Sequence, residues 1–167
     1  MKIVKLVKYQ LKVYFRGAGF VMPFIATAIF LYMMYCQKPI DVISGFLITG
    51  VFLFYIMLWI GISVAQQENN EVEQIVIFKI NSYPIYCIGK SLFLVVIALI
   101  FTGICILFPI IENLINSNEL FERSLVISDI VGSMLIISAS AICGVLLGNL
   151  FHPQIIKDKK MSYGALT

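Results

Sequence analysis

The side chains that could perform chemistry are few in this chain and are not spaced for it. The only histidine, His152, precedes Pro153, a pair that is typical of a helix end. An intramembrane protease needs a Ser–His pair or zinc ligands, and one terminal histidine supplies neither. No GxxxxGK[ST] phosphate-binding loop occurs. The cysteines lack metal-site spacing and are interpreted as packing residues: Cys36, Cys87, Cys105 and Cys143. We expect no catalytic residues, no metal and no cofactor in this chain.

Four long runs contain no Asp, Glu, Lys, Arg or His, and they alternate with charged segments. They cover residues 17–36, 42–65, 91–111 and 130–150. A helix needs about 20 apolar residues to cross a bilayer, so each run is long enough. The chain is 60% hydrophobic, with a mean hydropathy of +0.98, which exceeds what a soluble core requires. We predict an all-α polytopic membrane protein of one domain, with four spans at about 17–36, 42–65, 88–111 and 125–151.

The positive charges predict the orientation of these spans. All but two of the twelve Lys and Arg residues lie in three places, namely residues 1–16, residues 79–90 and residues 157–160. Basic residues collect on the cytoplasmic side, so both termini and residues 66–90 are predicted to be cytoplasmic in the cell membrane. The opposite loops, 37–41 and 112–124, would lie outside. The net charge of +3 is therefore attributed to membrane anchoring and not to nucleic-acid binding.

The amino-terminal segment carries a basic stripe. Its basic residues recur every three or four positions, as they do on one face of a helix: Lys2, Lys5, Lys8, Lys12 and Arg16. The pattern predicts an amphipathic elbow helix over residues 1–16, with lysines at lipid phosphates and an apolar side in the acyl boundary. Gly17 and Gly19 would let the chain turn into the first span. A simple basic anchor is the alternative interpretation.

Residues 66–90 hold the most specific pattern of the chain. A polar, acidic start is followed by the apolar stretch 75–80 and then by Asn81-Ser82-Tyr83-Pro84. The stretch predicts a short amphipathic helix with one face made of Val72, Ile75, Val76, Lys79 and Ile80. Asn81 to Pro84 should end it, with Ser82 capping a second helix that runs through Gly89-Lys90 into span three.

This layout resembles the permease subunit of ATP-binding cassette transporters of the type-2 exporter class. The matching residues, besides the basic elbow helix, are Glu68, Glu71, Glu73, residues 75–80, Pro84, Gly89 and Lys90. The family's small residue and threonine after the acidic start are replaced by Val72-Glu73-Gln74-Ile75. The resemblance implies that this segment is a coupling helix that docks on a cytoplasmic ATPase subunit, which binds the ATP. The candidate contacts are Glu71, Glu73, Gln74, Phe78 and Lys79.

The implied function is movement of a substrate across the membrane, driven by the partner ATPase. The spans lack ionisable residues, which favours a hydrophobic or amphipathic substrate over an ion. The family has six spans and four are predicted here, so we expect a second permease subunit, the same chain or another, to supply the missing hairpin. Residues 151–160 would then precede a fifth span that is cut short at 161–167. The alternative is a non-transporting immunity, sensor or scaffold protein of the membrane.

The fourth predicted span has small residues at four-residue spacing. They are Gly132, Ser140, Gly144 and Gly148, with Ile136 interrupting the series. Small residues let helix backbones approach closely in lipid. The pattern predicts a packing face, against either a neighbouring span or a second subunit.

Overall fold

The structure, a computed structural model, describes residues 2–37, 39–67, 70–116 and 120–150. These residues form six α-helices joined by short connections: α1 (Lys2–Arg16), α2 (Val21–Tyr35), α3 (Val42–Gln67), α4 (Asn70–Ile80), α5 (Tyr83–Ile115) and α6 (Ile127–Leu150). Three stretches are long and apolar enough to cross a membrane, namely Val42–Ala65, Tyr83–Ile115 and Ile127–Leu150. The chain is therefore an all-α, multi-pass membrane protein. The predicted basic block and tail at 157–167, and His152, lie outside the described residues.

The first predicted span is shorter than expected. α2 has 15 residues, which corresponds to about 22 Å against a hydrocarbon layer of about 30 Å. A 3₁₀ turn at Ala18–Phe20 separates it from α1, and the two helix axes meet at 75°. The bent pair counts as a fourth span only when both helices are taken together. The number of spans is thus three or four, where the sequence predicted four.

α3 and α6 form the closest helix pair of the bundle, and they run in the same direction. Gly50 approaches Ile137 and Ser140, whereas Gly61, further along α3, approaches Val145 and Gly148. Residues in contact are therefore separated by nearly the same number of positions all along the pair, as they are when two helices run in the same direction. Because glycine has no side chain, the two backbones can lie against each other, and dispersion contacts between them replace the hydrophobic drive that lipid does not provide.

α5 runs in the opposite direction and has α2 beside it. Phe20 and Phe24 lie against residues 97–104 of α5, and Tyr35, at the far end of α2, lies 6.2 Å from Phe108 between ring centroids. α2 and α5 are therefore parallel, as α3 and α6 are. The fully buried side chains between these helices include Leu31, Leu53, Leu94 and Ile137. A buried hydroxyl pair, Tyr35 and Thr49 at 3.2 Å, joins α2 to α3.

The connections α2–α3 and α5–α6 meet at one end of the bundle, called the bridge end here. Ile40 pairs with Phe121 in a parallel bridge: the Ile40 N–H donates to Leu120 O at 3.0 Å, and the Glu122 N–H donates to Ile40 O at 3.2 Å. The Phe121 ring packs on Tyr35 and Phe46. The two helical hairpins are thus fastened to each other both by backbone hydrogen bonds and by aromatic contacts.

Polar caps begin the helices at the bridge end. Asp41 Oδ2 accepts hydrogen bonds from the Ser44 N–H at 2.9 Å and the Ser44 hydroxyl at 2.7 Å, and these bonds lower the pKa of the Asp41 carboxyl. Asp129 accepts from the Val126 N–H at 3.3 Å and pairs with Arg123 at 3.1 Å. An acidic residue is favoured at each place because a helix N-terminus carries unpaired N–H donors and a partial positive charge.

The same order of elements occurs twice along the chain. A short helix, a sharp turn, a helix that runs toward the bridge end, a bridge segment and a helix that runs back make up α1–α2–α3 and again α4–α5–α6. Corresponding membrane helices are parallel, and corresponding loops form the parallel bridge. The fold is therefore an internal repeat of two helical hairpins, each preceded by a short helix.

Candidate partner interface

α4 ends at a sharp corner that fixes its direction relative to α5. Asn81 has φ 58°, in the left-handed region that asparagine tolerates better than most residues. Its N–H still donates to Ile77 O at 2.8 Å, which closes the last turn of α4. Ser82 is extended at the N-cap of α5, and Pro84 lies in the first turn of that helix. The break and the restart match the prediction, although the Ser82 side chain makes no cap hydrogen bond.

The corner is packed against α1 as well. Leu6 of α1 lies so close to Gly89 of α5 that a Cβ at position 89 would collide with it. One turn further along α5, the Phe93 ring meets Tyr14 of α1 edge to face, with 5.9 Å between centroids. Lys90, between these contacts, is buried. The apolar side of α1, which the sequence assigned to the acyl boundary, therefore packs on the first turns of α5.

The exposed face of α4 differs from the apolar face that the spacing predicted. Gln74, Ile75, Phe78 and Lys79 are exposed. They form one stripe because Phe78 follows Gln74 by four positions and Ile75 by three, and Lys79 follows Ile75 by four. Phe78 is 85% exposed and Ile75 is 66% exposed. The half-buried residues are Val76, Ile77 and Ile80. The predicted face is therefore divided, with Ile75 and Lys79 exposed and Val76 and Ile80 half-buried. The corner at Asn81, which spacing does not encode, determines which side of α4 faces α5.

Three of the five predicted partner contacts therefore share one surface. Gln74, Phe78 and Lys79 lie on the exposed stripe, and sequence reasoning missed Ile75, which lies between them. A local signal existed, since Ile75 and Phe78 are three residues apart and any helix places such a pair on one side. Glu71 and Glu73 belong to α4 by backbone, and their side chains are outside the described part of the structure. We call the four exposed residues the α4 stripe.

The four small residues of α6 do not share one environment. A Cβ at Gly144 would collide with the carbonyl oxygen of Phe54, and one at Gly148 would collide with that of Leu58. Ser140 lies near Gly50, with 3.8 Å from its hydroxyl to a Cβ built there. At Gly132 a Cβ would meet nothing within 4 Å. The packing partner at Gly144 and Gly148 is therefore α3 of the same chain, and these positions are not available to a second subunit.

A groove remains open where α3 and α6 diverge at the bridge end. It has a volume of about 250 Å³, and Gly132 and Ile136 of α6 face Ile43 and Leu47 of α3 across it. Among the residues that the structure describes, no three His, Cys, Asp or Glu side chains cluster to hold a metal ion. The arrangement therefore offers surfaces for helix packing and for a protein partner.

Comparisons with protein-family models, with curated proteins and with solved structures each give no match for this chain.

Proposed function

We propose that this chain is a membrane-spanning permease subunit of an ATP-binding cassette exporter of the type-2 class. The observation that carries the proposal is the α4 stripe, in which an 85% exposed phenylalanine lies beside a lysine on a helix held outside the bundle. Exposure of an aromatic ring to water is unfavourable, and a protein partner that covers the ring removes this unfavourable contribution. We infer that the partner is an ATPase subunit, which takes α4 into a groove.

The proposed mechanism uses the packing around the corner. ATP binding would close the partner dimer and displace α4, and the corner at Asn81 would pass that motion to α5. Because Leu6 lies against Gly89, α1 would move with the start of α5. The α3–α6 pair, packed backbone to backbone, would move as one body. A path for a hydrophobic or amphipathic substrate would then open beside a second permease subunit, either the same chain or another.

Copurification tests this proposal. The tagged chain, extracted in mild detergent, is expected to retain a soluble ATPase that carries a phosphate-binding loop, and mass spectrometry of the bound chains would identify it. Addition of ATP to the complex should produce hydrolysis, and the chain alone should produce none. Recovery of partners that include no ATPase would reject the transport proposal in favour of an immunity, sensor or scaffold role.

The proposal also requires that the α4 stripe faces the cytoplasm, together with both termini. Ser124 at the bridge end and Gln74 in the stripe are both exposed, so each tolerates a cysteine. In a Cys36→Ser background, a reagent that cannot cross the membrane is expected to modify Ser124→Cys in intact cells. Gln74→Cys should react only after the membrane is opened. The reverse pattern would place the stripe outside, where no ATPase could reach it.

A further inference from the structure

An apolar cavity lies at the bend between α1 and α2. Phe15, Phe20 and Phe24 line one side, and Ile97, Ile100 and Ile104 of α5 line the other. Its volume is about 160 Å³, and its lining includes no polar side chain. The cavity exists because the axes of α1 and α2 diverge by 75°, so that α1 leaves the surface of α5 that α2 follows.

The cavity lies at the depth of the hydrocarbon layer of the membrane, and it is open on the outer side of the helix bundle. Ile97 and Ile104 follow Lys90 by seven and fourteen residues, or about 10 and 20 Å along the helix, which lies within a hydrocarbon layer of about 30 Å. Phe15, Phe24 and Ile100 are each close to half exposed. A surface of this kind, inside the membrane, is covered by lipid acyl chain unless another protein covers it.

Basic side chains lie on the same side of α1 as Phe15, which lines the cavity. Lys8 and Lys12 precede Phe15 by seven and three residues, so they lie on its side of the helix. Arg16 is in the last turn, beside the bend, and all three basic residues are exposed. The first acidic residue of the chain is Asp41, so no carboxylate on α1 or α2 neutralises these charges. Long basic side chains of this kind extend toward the headgroup layer while their carbon chains stay in apolar surroundings.

We propose that this bend is a binding site for one anionic phospholipid. One acyl chain occupies the cavity between the phenylalanines and α5, and Lys8, Lys12 and Arg16 bind the phosphate. The apolar cavity favours an acyl chain, and the three basic side chains favour a negatively charged headgroup. Together they favour an anionic lipid over a neutral one. The inference requires only membrane insertion and is independent of the proposed ATPase partner.

Tryptophan quenching can test the site, because the chain has a single tryptophan, Trp59. In a Trp59→Phe background, Phe24→Trp places the probe in the cavity wall. The purified protein is reconstituted into phosphatidylcholine vesicles that contain brominated phosphatidylglycerol or brominated phosphatidylcholine. Quenching is expected to show a preference of roughly fivefold or more for the anionic lipid. In the unaltered protein, Trp59 on α3 should show no preference between the two lipids. Both substitutions replace one aromatic side chain with another at positions that are partly exposed: Phe24 is 49% exposed and Trp59 is 41% exposed.

A matched set of charge variants decides whether the preference belongs to this site. Lys12→Gln or Arg16→Gln alone should reduce the preference, and the double variant should bring it close to onefold. Lys79→Gln removes the same charge from the α4 stripe and should leave it unchanged. Equal quenching by the two lipids would overturn the proposal. So would a preference that survives the double variant, or one that Lys79→Gln removes equally, since bulk charge would then be the cause.

Discussion

Gly144→Leu is expected to lower the free energy of unfolding by about 3 kcal/mol or more. The added side chain would enter the space held by the Phe54 carbonyl, and a backbone carbonyl cannot rotate away as a flexible side chain can. α3 and α6 would have to separate, which removes close contacts along both helices. The measurement is the midpoint of denaturant unfolding in a mild detergent, together with the monodisperse fraction after extraction.

Gly132→Leu is the matched control, because it makes the same chemical change in the same helix. A Cβ at Gly132 meets nothing within 4 Å, so the unfolding midpoint should stay close to that of the unaltered chain. Equal destabilisation by the two substitutions would mean that a leucine is harmful anywhere on this side of α6, so that the contact with α3 does not determine the loss; helix propensity favours leucine over glycine in both variants. A stable, monodisperse Gly144→Leu protein would show that α3 and α6 do not pack as described.

The membrane helices were predictable because any helix that crosses the bilayer needs about 20 apolar residues. The uncharged runs at 42–65, 91–111 and 130–150 each lie within a helix that is long enough to span. The corner at Asn81 to Pro84 was predictable for a local reason too, since proline and asparagine act on their own backbone. Residue types therefore predicted those features whose causes lie within a few residues.

Features that depend on distant contacts were not predictable. The uncharged run 17–36 has the composition of a span, yet α2 covers only 15 of its residues. Apolar composition alone does not show where α1 will pack on α5. Likewise, four-residue spacing in α6 indicated a packing face but not the partner, because the matching glycines lie more than 80 positions earlier in α3. The internal repeat could not be recognised from the sequence either, because α1 and α4 have equivalent positions in the fold but different amino-acid compositions.

The candidate interface was predicted in part, and the part that failed has a geometric cause. Gln74, Phe78 and Lys79 were named from the resemblance to a coupling helix, and they are on the exposed side of α4. The spacing identified the apolar face of α4 but not which part of it is buried, because spacing does not show how a helix is attached to the bundle. α4 is joined to the bundle through a corner, so the direction of that corner outweighs the modest preference of Ile75 for burial.

Phe78→Ala is expected to weaken binding of the partner ATPase about 30-fold, the equivalent of about 2 kcal/mol. Phe78 is 85% exposed, so its removal leaves no cavity in the chain, and membrane insertion and the unfolding midpoint should not change. The lost free energy would be that of burying the ring in a groove of the partner. The measurement is the dissociation constant of the detergent-solubilised complex, with ATP hydrolysis followed in parallel.

Ile77→Ala is the control from the same helix. Ile77 is half-buried and lies about 100° around α4 from Phe78, outside the exposed stripe, so its truncation removes apolar surface without removing a stripe residue. Affinity should change less than threefold. Because the two positions are adjacent in α4, general damage to the helix would affect both variants, whereas a docking face would distinguish them. Unaltered binding by Phe78→Ala and by Glu71→Lys would show that α4 is an ordinary surface helix, and the proposed coupling role would then fail.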